Sequence, residues 1–391
     1  MTFDFRRFLT FLFYFLTSLR FSLRRFVIVC AFLLLYPLLQ MVIWFSFLMD
    51  ELFFRHYRQQ PIKDPVFIVG MFRSGTTFLH RMLDQDDQFT SMSMWEILFS
   101  PSVLQRKFIM ALGYFFHRPV NRMLMYLEND WSKKNVMHAV GLQQPEEDEY
   151  LLLHRWSAMT TGLSAGILPL ATPFLHFDQN LDDQQRIMRF HELCIKKHLY
   201  AKGSEGQRYL AKNPALTPKL ASVFSTFPDA KIIVLVRSPL QVIPSFLSMM
   251  HFSWHIVGTP TDKQEIKQEL REFVLAMARH WYYYPLDILE SRDPTSYVFV
   301  NYDELVVNPE KTVRQVYNTL QLPLTQKFST TLAQEREIAG TRRSEHRYDL
   351  EELGLDRETI VREFDEIFQR FGFDRQKSLA QQNASEPFAL A

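Results

Sequence analysis

Arg73, Ser74, Thr76 and Thr77 can all donate to an anion, and they flank a glycine, Gly75. They follow an apolar run, Val66 to Val69, and a first glycine, Gly70, that stands five positions before Gly75. A glycine turn between a buried strand and a helix aims backbone N–H groups and the positive helix end at one point, an arrangement that holds phosphate. The spacing is that of the nucleotide-triphosphatase loop G-x-x-x-x-G-K-[ST], except that Thr76 stands where the lysine belongs. The cation lies upstream instead, at Arg73. A blander alternative is that Gly70 and Gly75 only build a turn, with no ligand.

Three other groups have the same kind of promise. Arg237 follows the apolar run Lys231–Val236, and Ser245 comes eight residues after it. An arginine fork with a hydroxyl beside it suits phosphate oxygens, whereas alone it could equally be a surface ion pair. Lys212 lies in "LAKNPALTPKL". The cluster "PEEDEY" at Pro145–Tyr150 offers Glu146, Glu147, Asp148 and Glu149. A carboxylate becomes a useful base near neutrality when burial or a like-charged neighbour raises its pKa. The competing reading is a solvated acidic helix start, favoured by the helix dipole. His138, His251 and His255 are weaker candidates for a base.

These residues resemble the sulfotransferases that use 3′-phosphoadenosine-5′-phosphosulfate. "FIVGMFRSGTTFLH" matches the first signature of that family, and "IIVLVRSPLQVIPSF" matches the second. "SGTTFLHRML", "QPEEDEY", "KNPALTPKL" and "NYDELVVNPEKTVRQVY" are similar to its large, divergent bacterial branch. The resemblance covers about Pro65 to Phe373. It implies that Arg73, Ser74, Gly75, Thr76 and Thr77 hold the 5′-phosphosulfate, and that Arg237 and Ser245 grip the 3′-phosphate. It further implies that Lys212 touches the transferred sulfate. The catalytic histidine of cytosolic relatives is missing, because Asn213 and Pro214 follow Lys212; a glutamate, Glu146 or Glu147, is the replacement base to expect. "AGTRRSEHRYDL", with Arg342 and Arg343, is the nearest counterpart of the family's basic loop over the 3′-phosphate. No metal is needed for this chemistry. A P-loop nucleotide kinase-like enzyme, or a non-catalytic donor- or lipid-binding member of the same fold, are the alternatives.

Positioning these groups requires strands. "VFIV", "KIIVLV" and "YVFVNY" read as short buried strands, with helices at about Gly75–Leu83, Leu240–Met250 and Glu310–Leu320. Strands spaced by helices imply an α/β fold, a P-loop-like three-layer sandwich with a mostly parallel central sheet. The functional groups then sit at the carboxyl ends of the strands, where such sheets bind ligands. The expected organisation is an N-terminal membrane-associated segment over residues 1–60, a sulfotransferase domain over 65–375 and a loose tail over 376–391.

The N-terminus is different in kind. From Phe26 to Met49 the chain carries no charge and is long enough to cross a bilayer core of about 30 Å. A shorter apolar piece, Phe8–Leu19, would lie in the interface or form the first arm of a hairpin, and a buried core helix is the alternative for the longer run. With 44 Lys+Arg against 43 Asp+Glu, the near-neutral chain gives no reason to expect a nucleic-acid partner. Only Cys30 and Cys194 are present, and the spacing of a structural zinc site is absent. A membrane and a lipid or other amphipathic acceptor are the expected partners. Arginines before the apolar run favour an outside catalytic domain for a single span. A bacterial enzyme must nevertheless face its cytoplasmic donor, so the expectation is an inner-membrane protein with a cytoplasmic catalytic domain. A Golgi-type, lumenal arrangement is the alternative.

Overall fold

The computed structural model describes residues 3–17, 23–111, 142–180, 182–204, 206–259, 263–339 and 350–375. Among these, five parallel strands form one sheet in the order β2-β3-β1-β4-β5: β1 Val66–Gly70, β2 Phe89–Thr90, β3 Arg208–Lys212, β4 Lys231–Val236 and β5 Tyr297–Asn301. β1 is central, with Val66 opposite Leu210 on one side and Lys231 on the other. Its five residues are all buried. Because side chains alternate along a strand, Val66 and Ile68 enter one core while Phe67 and Val69 enter the other. Ile233 and Leu235 of β4 join the first, Ile232 and Val234 the second. Helices cover both faces, giving the three layers that the strand–helix alternation implied.

The expected strands and their following helices are present. The helix after β1 is Thr76–Leu83, the one after β4 is Pro239–Ile256 and the one after β5's short turn helix is Pro309–Thr319. We number the helices used below α1 Phe5–Thr17, α2 Leu23–Phe53, α3 Thr76–Leu83, α4 Gln184–Lys202 and α5 Pro239–Ile256. Later strands lie on both sides of β1, so the crevice at the carboxyl ends falls beside its loop. Four chain segments arrive there: the loop after β1, Lys212 ending β3, Arg237 after β4 and Tyr302 after β5.

α2 is long and apolar enough to cross a membrane, yet its second half packs on the α/β domain. Gln40, Ile43, Phe47 and Asp50 recur at helical spacing and are buried. Asp50 is the anchor. Its carboxylate accepts from the backbone N–H groups of Val103 (3.0 Å) and Leu104 (2.9 Å) and pairs with the buried ammonium of Lys197 on α4. That ammonium also lies over the rings of Tyr57 and Phe47, at 4.4 and 4.6 Å. Removing one member of such a pair strands the other charge in the core. Asp50→Ala is therefore expected to cost about 3–5 kcal/mol, read as a lowered denaturation midpoint. A loss under about 1 kcal/mol would place this pair with exposed ion pairs.

Candidate functional site

The loop after β1 is built by glycines that no other residue could replace. Gly70 has φ 128°, and a Cβ there would lie 2.3 Å from the Leu235 carbonyl oxygen of β4. Gly75 has φ 96°, and its Cβ would meet the Tyr302 ring at 2.4 Å. The Gly70 N–H donates to the Thr217 hydroxyl at 2.9 Å, tying the end of β1 to the turn after β3. Arg73 is left-handed too, with φ 69°. For a residue with a side chain this costs on the order of 1–3 kcal/mol, and such strain collects at ligand sites.

Partners of the loop explain how that strain is held. Arg73 Nε donates to the Ser245 hydroxyl at 3.1 Å. Arg237 Nη1 donates to the Arg73 carbonyl at 3.1 Å, while its Nε donates to Gln241 Oε1 at 2.8 Å. The Arg237 guanidinium stacks on Tyr302, 4.2 Å from the ring centroid, and the Tyr302 ring closes on Gly75. Burial pulls the Arg237 pKa down, but an arginine remains charged throughout the working range. The Ser74 hydroxyl is turned back, donating to the Met71 carbonyl at 2.7 Å. The first-turn N–H groups of α3 are those a helix cannot satisfy itself.

The acidic cluster is not a solvated helix start. It enters a 3-10 turn, Asp148–Arg155, and every acid is paired inside the domain. Glu146 and Glu147 both pair with Lys212, each at 2.8 Å. Asp148 accepts from His191 (2.7 Å), Asn213 (2.7 Å) and Tyr209 (3.0 Å). Glu149 pairs with Lys219 at 2.8 Å and accepts from the Met159 N–H at 2.9 Å. Asp148 and Glu149 are fully buried and bind the domain together; Glu146 and Glu147 keep 12 and 14% of their side-chain exposure, toward a cleft.

Their environments push the two glutamates apart. Burial raises the Glu147 carboxyl, the charge of Glu146 adds to this, and Lys212 reverses only part of it. For Glu146 burial also acts upward, but the Lys212 ammonium outweighs it and holds the carboxyl below its ordinary value. Burial acts downward on Lys212, and the two carboxylates more than compensate, so its pKa is raised. Two neighbouring carboxyls held apart in this way can take different proton tasks.

The cleft has a volume of about 530 Å³, in the range that takes a nucleotide-sized ligand. Arg73, Gly75, Thr76, Thr77, Arg237 and the two glutamates line its polar side. Phe72, Tyr150, Leu163, Phe246, Met249 and Phe252 make the rest mostly apolar. Lys212 lies beneath, its ammonium covered by the glutamates. Arg342 and Arg343 lie outside the described residues, as does His138. Neither His251 nor His255 lines the cleft. Sequence reasoning missed Tyr302, Gln241 and Thr217. Tyr302 alone had a usable signal, since it is the last residue of the predicted strand YVFVNY, at its carboxyl end.

A model described as Sulfotransferase family matches residues 65–326. The omega-hydroxy-beta-dihydromenaquinone-9 sulfotransferases of Mycobacterium bovis and Mycobacterium tuberculosis are each 27% identical over 358 residues, covering 88% of this chain and 84% of theirs. Among solved structures, a sulfotransferase of Mycobacterium avium superposes with a TM-score of 0.68 at 17% identity, covering 84% of this chain and 82% of its own. Another, from Mycobacterium tuberculosis, gives 0.60 at 18% identity, with coverage of 82 and 81%. At those identities the structures speak to the fold.

Proposed function

The chain belongs to the sulfotransferase family, and on that premise we propose that it moves the sulfuryl group of 3′-phosphoadenosine-5′-phosphosulfate to the hydroxyl of a membrane lipid or similar amphipathic alcohol. One observation supports this most: a strained cationic loop, a second buried arginine and two carboxylates paired with Lys212 share one cleft whose remaining wall is mostly apolar. In this reading Arg73, Thr76, Thr77 and the loop N–H groups bind the phosphosulfate. Arg237, stacked on Tyr302, meets the 3′-phosphate, with Ser245 supporting it through Arg73.

The chemistry balances without a further reactant. A bond forms between the acceptor oxygen and sulfur while the bond from sulfur to the bridging phosphate oxygen breaks. The bonding electrons leave on the phosphate, and the hydroxyl proton passes to Glu147. Catalysis then consists of positioning and of cationic hydrogen bonds to the developing charge. Arg73 supplies the first of these. Lys212 supplies another as the donor sulfonate competes with Glu146 and Glu147 for its ammonium.

A lipid acceptor is suggested by the apolar cleft wall and by the apolar N-terminal helices. The Mycobacterium relatives are named for a menaquinone-derived acceptor, which is of that chemical kind. We place the catalytic domain on the side of the membrane where the donor is made, the cytoplasm in a bacterial cell. Incubation of the protein with sulfur-labelled donor and a total lipid extract tests the reading. Label should appear in the organic phase as a sulfated lipid and depend on the protein. Label released only as inorganic sulfate, or none at all, would overturn it.

A further inference from the structure

We propose that α1 and α2 lie side by side in the plane of one leaflet, so that the enzyme is seated on the membrane and does not cross it. The proposal rests on the reading that the protein meets a membrane, and it goes further by fixing how. The length of helix that precedes the domain contacts decides between the two seatings. α2 contacts the catalytic domain from Phe32 onward: Phe32 and Tyr36 pack on Trp156, Gln40 bonds His154 Nδ1 at 3.1 Å and Trp44 donates to the His154 carbonyl at 3.2 Å. Asp50 then locks the far end to α4. Only the stretch from Leu23 to Ala31 precedes these contacts. At about 1.5 Å per residue it reaches roughly 14 Å, half of the ~30 Å hydrocarbon core. A span over residues 26–49 would draw His154 and Trp156 into the lipid and the Asp50–Lys197 pair to its edge.

The outer face points to the occupant. Opposite its buried stripe, α2 exposes Leu34, Leu38, Met41, Phe45, Leu48 and Leu52 at helical spacing. α1 does the same with Phe5, Leu9, Phe13 and Leu16 while burying Phe11 and Phe15 against Trp156 and Ile167. Such a surface exceeds the apolar patches that soluble monomers carry. Arg6 and Arg24 are exposed at the starts of α1 and α2, and cations beside an apolar face match an anionic leaflet. α1 is fixed to the domain, since Arg7 bridges to Asp183 at 2.8 Å. The helix Met159–Ala165 links platform and cleft: Thr160, Leu163 and Ser164 line the cleft, while Ala165 packs against the cluster formed by Phe11, Phe15, Trp156 and Ile167. A lipid acceptor in that leaflet would then reach the glutamates past this one helix.

Depth measurement on the full chain in phosphatidylglycerol–phosphatidylcholine vesicles tests this. In a Cys30→Ser background, where Cys194 is buried, Leu34→Cys, Met41→Cys, Phe45→Cys and Leu48→Cys each take a spin label. The expected result is one shallow depth at all four. A progression through the bilayer midplane would overturn the proposal and establish a span. Failure of the unlabelled protein to float with vesicles would overturn it together with the membrane reading, leaving sulfuryl transfer to a soluble acceptor untouched. As a second arm, paired Met41→Asp and Phe45→Asp should lower vesicle partitioning by roughly tenfold or more while donor affinity is unchanged. Unchanged partitioning would contradict the seating.

Discussion

Arg73→Ala is expected to lower kcat/KM by roughly 100- to 1,000-fold, the usual consequence of removing one preorganised donor to a developing oxyanion. The arginine is held in place by its surroundings. Its backbone sits at φ 69°, its Nε is fixed by Ser245, and its carbonyl is held by Arg237. Losing the side chain removes the loop's cation and one of the contacts that maintain the strain, so donor affinity should fall together with turnover. Arg73→Lys should recover part of the affinity and less of the rate, because an ammonium supplies charge without the planar fork. Steady-state kinetics with a parallel donor titration separates the two. Near-normal turnover in Arg73→Ala would reduce the loop to a structural turn.

Glu147→Gln should lower kcat by about 10²–10⁴ and leave donor affinity within a few-fold. The pH dependence carries the more specific expectation. A base acts when unprotonated, so the wild-type rate should fall as pH drops through the Glu147 pKa. Burial and Glu146 raise that value, placing the limb above the ordinary carboxylate range, and Glu147→Gln should abolish it. Glu146→Gln removes a like charge while Lys212 remains, so the limb should move to lower pH with a smaller loss of rate. A limb unchanged in both variants would assign the proton to another group.

The strands that announce themselves in the sequence are those whose apolar runs have no charged residue inside them. β1 and β4 are buried on both faces and read as the apolar runs VFIV and IIVLV; β5 is an apolar run too, YVFV, buried on one face and half-buried on the other. β3 starts at Arg208 and ends at Lys212, and β2 has only two residues, so neither stands out by pattern. Lys212 was legible through its motif, but its pairing with Glu146 and Glu147 depends on how the 3-10 turn packs against the end of β3. That contact, 65 and 66 residues apart in sequence, is what decides between a solvated acidic run and a buried carboxylate pair. For the same reason periodicity alone could not separate a membrane span from an in-plane helix. α2 is apolar on both faces, and only Asp50, Gln40 and their partners show which face belongs to protein.

The most direct test of the donor site is a calorimetric titration with 3′,5′-adenosine bisphosphate, adenosine 5′-phosphate and ATP–Mg²⁺, on wild type and Arg237→Ala. Wild type should prefer the bisphosphate over adenosine 5′-phosphate by roughly ten- to a hundredfold, the worth of one or two charge-assisted hydrogen bonds. In Arg237→Ala the two affinities should converge. Tight wild-type binding of ATP–Mg²⁺ with none of the bisphosphate would contradict the account.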